Sequence, residues 1–176
     1  MTFRNAVSAD IDAIAGLHSR SWQQTYRGIF SDDFLDNRVL ADRLAVWTSR
    51  LVNPNENQWV LVAGEKDKLQ GFICVYGKDD PVYGSLVDNL HVSEEARGTG
   101  LGRTLLQRAA QWMYETYGTR HMYLWVYADN IRAREVYRHL GGQEVEQVMH
   151  ENLDGTVSPA LRCYWDDTTS LAGILS

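Results

Sequence analysis

The sequence predicts an α/β chain of the α+β kind, a sheet flanked by helices, and three observations carry that reading. Apolar residues recur at helical period before Gln58 and at strand period after it. Three strand-like runs, WVLVAGE, LQGFICVYG and GSLVDNLHV, then follow one another, the first two as an antiparallel hairpin. Finally, two helical runs, LGRTLLQRAA and ADNIRAREVYRHLGG, enclose MYLWVYA, which is apolar on both faces and therefore a central strand. At 176 residues the chain suits one well-buried core, so residues 1–176 are expected to form a single domain.

Thr2 to Asn5 read as a short first strand. Ser8 opens a helix whose apolar stripe is Ile11, Ile14, Ala15, Leu17 and Trp22, with Asp10 and Asp12 in the first turn, where they suit the helix dipole. The chain breaks at Arg27 and Gly28. A second helix begins after Ser31 and carries Phe34, Leu35, Leu40, Leu44 and Trp47. Turns at Lys66, Asp67 and Lys68 and at Asp79, Asp80 and Pro81 separate the three strands. The helix from Gly100 to about Tyr117 places Leu101, Leu105, Ala109 and Met113 four apart. Asn130 is an N-cap for the next helix, and Gly141 and Gly142 end it. Ala133, Val136 and Leu140 share one side of that helix, with Asn130 and Tyr137 at the edge. Strands near Glu144–Glu151 and Leu161–Trp165, on either side of Asp154-Gly155, complete the order.

A net charge of −6 disfavours a nucleic-acid partner and suits a cationic substrate. No run of about 18 apolar residues occurs, so neither a membrane span nor a signal peptide is expected, and the expected location is cytoplasmic. Cys74 and Cys163 form no CxxC and no metal-ligand spacing; both are expected to be core thiols, with no metal and no disulfide.

The most informative stretch is GSLVDNLHV-SEEARGTGLGR-TLLQRAA, a strand turning into a helix through Gly98, Gly100 and Gly102. A helix start leaves about four backbone N–H groups unsatisfied, which makes an anion site. Arg97 and Arg103 add charge, and glycines let a phosphate approach the backbone. The spacing fits neither a dinucleotide fingerprint, because Arg103 stands where the last Gly belongs, nor a P-loop, because no Lys follows Gly102. Taken alone, the loop also reads as a tight turn without a ligand.

Arg97-x-x-Gly100-x-Gly102 resembles the acetyl-CoA pyrophosphate loop of the GCN5-related N-acetyltransferases, the GNAT superfamily. One strand later, Asn130-x-x-Ala133-x-x-x-Tyr137 resembles that family's second signature, and the element order extends the likeness over nearly the whole chain. The resemblance implies a mixed, mostly antiparallel sheet splayed between its fourth and fifth strands, Leu86 to Val92 and Met122 to Tyr127. The pantetheine arm of acetyl-CoA would lie in that gap against Leu90, His91 and Val92. The pyrophosphate would sit on the amides of Gly98, Thr99, Gly100, Leu101, Gly102 and Arg103. Asn130 and Ala133 would border the arm, and Tyr137 would stand near the sulfur. Trp22 and Tyr26, in a W-x-x-x-Y-R-G run, are acceptor-wall candidates, although they also read as an aromatic pair packed on the sheet. The implied activity is acetyl transfer from acetyl-CoA, as cosubstrate, to a small-molecule or peptide amine by direct attack, without a metal and with a homodimer plausible. The alternative is a non-catalytic acyl-CoA binding or sensing module.

An alkyl amine with a pKa of about 10.4 pays about 4 to 5 kcal/mol to present its neutral form near pH 7. A base or water chain must therefore take a proton, and the departing thiolate must receive one. Tyr137 is the candidate acid, while Asp88 and His91 are candidate bases whose facing strict alternation leaves open. His91 also reads as a packed or exposed strand histidine, Asp88 as a residue that orients water or caps a turn, and Tyr137 as a core aromatic.

Overall fold

Seven strands of the computed structural model, which describes residues 1–65 and 67–172, form one sheet whose order follows the chain through five strands and reverses in the last two. In chain order the elements are β1 (Phe3–Asn5), α1 (Ile11–Thr25), α2 (Asp32–Asn37), α3 (Val39–Val52), β2 (Gln58–Glu65), β3 (Lys68–Asp80), β4 (Gly84–Val92), α4 (Leu101–Tyr117), β5 (Met122–Tyr127), α5 (Ile131–His139), β6 (Gln143–Glu151), β7 (Val157–Trp165) and α6 (Thr169–Ala172). The sheet order is β1-β2-β3-β4-β5-β7-β6, antiparallel throughout except between β4 and β5. The expected mixed, mostly antiparallel sheet is thus present.

The parallel join is short. Only Ser85 pairs with Met122 and Leu86 with Tyr123; beyond them the two strands part. Within β4, Cys74 of β3 faces Asn89 while Val75 faces Val87, so Asp88 is an extra, bulged residue. A bulge bends its strand and increases the local twist. It lies where β4 leaves β5, and the opening it borders is the site described below.

Both faces near the opening are filled by helices. The apolar stripe of α4, including Leu105, Leu106, Ala109, Ala110 and Met113, is fully buried with Ile73, Val75, Val87 and Leu124. On the other face Ile14, Ala15 and Leu17 of α1 and Trp47 of α3 pack with Val60, Val62, Phe72 and Cys74. Removing a side chain as large as Trp47 from such a place costs about 3–5 kcal/mol. Cys74 and Cys163 are buried free thiols, as expected.

Several expectations are corrected. The helix after Ser31 is two helices: Ser31 Oγ accepts the Phe34 amide at 3.3 Å, but the backbone leaves helical geometry at Arg38 (φ −125°). Phe34, Leu35 and Val39 thereby join an aromatic cluster separate from the one that holds Trp47. β3 continues to Asp80, whose Oδ1 accepts the amides of Val82 and Tyr83 in the following turn. Of the turn expected at Lys66, Asp67 and Lys68, Lys66 lies outside the described residues. On α5, Ala133, Tyr137 and Leu140 lean on the core, but no residue of that helix is fully buried and Val136 is 46 % exposed. Its stripe borders the opening instead of filling the core. Among the described residues no helix is long and apolar enough to cross a membrane.

Candidate active site

The divergence of β4 and β5 opens a cavity of about 1000 Å³, lined at one end by the Gly98–Arg103 loop and at the other by an aromatic cluster from α1 and β5. At the loop end, Gly98 (φ 78°) and Gly100 (φ 85°) adopt left-handed backbone that glycine takes without strain. A Cβ at either position would meet no protein atom within 4 Å, so the space beside the turn is left open by the fold. The first helical bond of α4 runs from the Thr104 amide to Gly100 O at 3.0 Å. The amides of Gly98, Gly100, Leu101, Gly102 and Arg103 take no partner among the described residues. Such a cradle fits a pyrophosphate. Thr99 is turned away: its amide and hydroxyl both donate to Ala96 O, and it does not line the cavity. Arg97 lines it and donates to Gln24 Oε1 at 2.7 Å, tying the loop to α1.

Along the middle run Leu90, His91 and Val92 of β4 and, opposite, Asn130, Ala133 and Tyr137. Asn130 caps α5, its Oδ1 accepting the Ala133 amide at 3.3 Å. The half-buried Tyr137 ring meets Trp165 edge to face at 6.1 Å. Burial, with lesser contributions from Tyr26 and Cys163, raises the Tyr137 phenol above its ordinary range, so it keeps its proton at neutral pH.

Asp88 and His91 are three apart, which regular alternation would put on opposite faces; the bulge at Asp88 turns both toward α1 and α3. Asp88 Oδ2 accepts from Arg50 Nη2 at 2.6 Å and Asn89 Oδ1 from Arg50 Nη1 at 2.5 Å. His91 Nδ1 lies 2.8 Å from Ser21 Oγ, and its ring stands 4.4 Å from that of His18. Burial, reinforced by the charges of Arg43 and Arg97, brings His91 down to about 3. It is neutral at pH 7. His18 is fully buried and its Nδ1 accepts from Trp47 Nε1 at 3.0 Å, which fixes it as a neutral ring as well.

At the far end, Trp22 and Tyr26 face the cavity within a ring cluster, 5.6 Å apart, with Phe30 4.9 Å from Trp22 and Tyr127 5.1 Å from Tyr26. Tyr127 donates to Asn152 Oδ1 at 2.6 Å, and buried Asn152 donates to Thr156 Oγ1 at 2.9 Å. The turn between β6 and β7 is thereby fastened to this wall. Sequence reasoning missed Ser21, Arg43, Arg50 and Tyr127, all of which line the cavity. For the arginines a signal existed: Arg43 and Arg50 lie four before and three after Trp47, at apolar-stripe positions of α3 where a cation is out of place. Among the described residues no group of three or more His, Cys, Asp or Glu could hold a metal ion.

A model of the acetyltransferase (GNAT) family matches residues 14–141. The chain is 30% identical over 134 residues to YuaI, an uncharacterised N-acetyltransferase of Bacillus subtilis, covering 74% of this chain and 73% of that protein. Among solved structures, the PaiA N-acetyltransferase of Thermoplasma acidophilum in complex with coenzyme A superposes with a TM-score of 0.68 at 20% identity, over 93% of this chain and 98% of that one. YncA of Salmonella typhimurium, solved with its cofactor acetyl-CoA, gives 0.66 at 22% identity, over 94% and 93%. At these identities the two structures establish a shared fold.

Proposed function

The chain belongs to the GNAT family of acetyltransferases, and from that premise we propose that it moves an acetyl group from acetyl-CoA to the amine of a small molecule or peptide, by direct attack within the cavity between β4 and β5. One observation carries the reading. The same cavity joins a row of backbone amides without partners among the described residues, a phenol that keeps its proton and an aromatic wall.

Bound acetyl-CoA supplies a thioester carbonyl open to a nucleophile. The amides of Gly98, Gly100, Leu101, Gly102 and Arg103 hold the pyrophosphate, with Arg97 and Arg103 adding charge, and Thr99 braces the turn through Ala96. The open edge of β4 at Leu90, His91 and Val92 and the side-chain amide of Asn130 hold the pantetheine arm, with Ala133 leaving room beside it. Trp22 and Tyr26 orient the acceptor and exclude water. As the nitrogen–carbon bond forms and the carbon–sulfur bond breaks, one proton leaves the nitrogen and one reaches the sulfur. Tyr137 gives the latter. Asp88 and His91 serve the former as parts of a relay. Asp88 is held by Arg50, and His91, at about 3, is too weak to strip an ammonium outright but accepts a hydrogen bond from the amine or an intervening water. A cytoplasmic enzyme and a homodimer belong to the same reading, the dimer on the family likeness alone.

Free-thiol release from acetyl-CoA with a panel of amines, alongside coenzyme A binding, tests the proposal. Amine-dependent thiol release supports it. Tight binding without release above buffer with every amine would make the chain a sensing module.

A further inference from the structure

The whole molecule is acidic, at −6, yet its cavity is not. Among the described residues Asp88 is the one carboxylate that lines it, and Arg50 already holds that carboxylate at 2.6 Å. Arg43 also lines the acceptor end. It is 7 % exposed, and its guanidinium lies 4.4 Å over the Trp22 ring. Its Nε and Nη2 both meet one oxygen of Asp42, at 2.9 and 2.5 Å, on its own helix and outside the cavity. Nη1 has no partner among the described residues.

A buried guanidinium with an unused N–H edge beside an aromatic wall is suited to an oxyanion, and its rigid fork matches a carboxylate. An incoming polycation would instead meet like charge here, with no free carboxylate to offset it. The field of Arg43 is felt locally: after burial, it is the leading cause of the weak basicity of His91.

Resting on the acetyltransferase reading, we infer that the acceptor is a zwitterionic amine of the amino-acid type. Its carboxylate binds Arg43, its apolar or aromatic substituent lies on the wall of Trp22, Tyr26 and Phe30, and its amine faces the thioester. The ammonium first gives one proton to solvent; the neutral nitrogen then bonds to the acetyl carbon and sheds a second as the carbon–sulfur bond breaks, and coenzyme A leaves as the thiol, its sulfur protonated in exchange. The carboxylate is unchanged.

The test uses amine pairs that differ only by the carboxylate, phenylalanine with 2-phenylethylamine and leucine with 3-methylbutylamine, together with spermidine as a polycation. Each is assayed for thiol release with the full chain and compared after correction for amine pKa. The carboxylated member is expected to have the higher kcat/KM by about 10- to 100-fold, mostly through KM, as a charge-assisted hydrogen bond contributes. Arg43→Gln should collapse that ratio by weakening the carboxylated member, and Arg43→Lys should keep part of it. If Arg43→Gln does not fold, the wild-type ratios decide alone. Equal or higher kcat/KM for the decarboxylated amines or for spermidine overturns this inference and leaves the transferase reading standing. A protein that binds acetyl-CoA but releases thiol with no amine overturns both.

Discussion

The carboxylate of Asp154 accepts the backbone amide of Ser31 at 2.6 Å, although the two residues stand 123 positions apart. Its other oxygen takes the Thr156 amide and hydroxyl at 3.1 and 2.6 Å, so one side chain pins the β6–β7 turn to the loop that starts α2. Burial alone would raise this carboxyl, but the hydrogen bonds from Ser31 and Thr156 outweigh it and leave the group at about 2, below its ordinary 3.8. Its contribution to stability is therefore present above pH 3.8 and lost as pH falls toward 2. Asp154→Ala should lose about 1–3 kcal/mol in urea unfolding at pH 7 and should lose that part of the acid transition. A variant as stable as wild type at pH 7 would show that the tie contributes nothing.

Gly100→Val tests the cradle. A Cβ there meets no atom within 4 Å, so the fold loses only what a branched residue pays at φ 85°, whereas the side chain fills the open space proposed for the pyrophosphate. The variant should remain folded with a lowered Tm. Wild type with coenzyme A at about 100 times its Kd should gain about 2.7 kcal/mol, and the variant should gain far less. An undiminished coenzyme A shift would remove the loop from the binding site.

The legible parts of this protein are those whose chemistry is local. Gly98 and Gly100 announce the turn between β4 and α4, and Asn130 announces a cap, because each requirement is met within a few residues. The facing of Asp88 and His91 was not legible, because a bulge is decided by pairing with β3 and alternation counts residues as if none were extra. The wall between Tyr127, Asn152 and the α1–α2 loop was hidden for a similar reason: its members meet only after the sheet has formed. Net charge says least about the cavity. It sums over the whole surface, whereas a ligand meets the groups lining its cavity, where Arg43, Arg50, Arg97, Arg103 and Arg132 stand with one carboxylate, the paired Asp88.

His91 should be silent in the pH–rate profile. With its imidazole at about 3 it stays neutral across pH 5–9, so any limb of kcat/KM there should track the acceptor and shift with the pKa of the amine used. Stability should respond instead. The unfolded chain binds a proton near 6.5 that the folded His91 refuses, so folding weakens as pH drops from 6.5 toward 3. His91→Gln should flatten that part of the stability curve. A rate limb between pH 6 and 7 that vanishes in His91→Gln, with the acceptor held fixed, would make His91 a base in its own right.

Tyr137→Phe separates chemistry from packing. Tyr137 lines the cavity; its ring stays against Trp165, and only its hydroxyl is deleted. If that hydroxyl protonates the departing thiolate, kcat should fall about 10²- to 10⁴-fold, the usual contribution of a general acid. Acetyl-CoA affinity should change little, since the interaction strengthens only as charge develops on sulfur. kcat and kcat/KM should then drop together when chemistry limits turnover. The raised phenol pKa adds a second signature: wild type should keep its acid, and its rate, to a higher pH than an unburied tyrosine would allow. An unchanged kcat with chemistry shown to be limiting would leave Tyr137 a packing residue and pass the thiolate's proton to water.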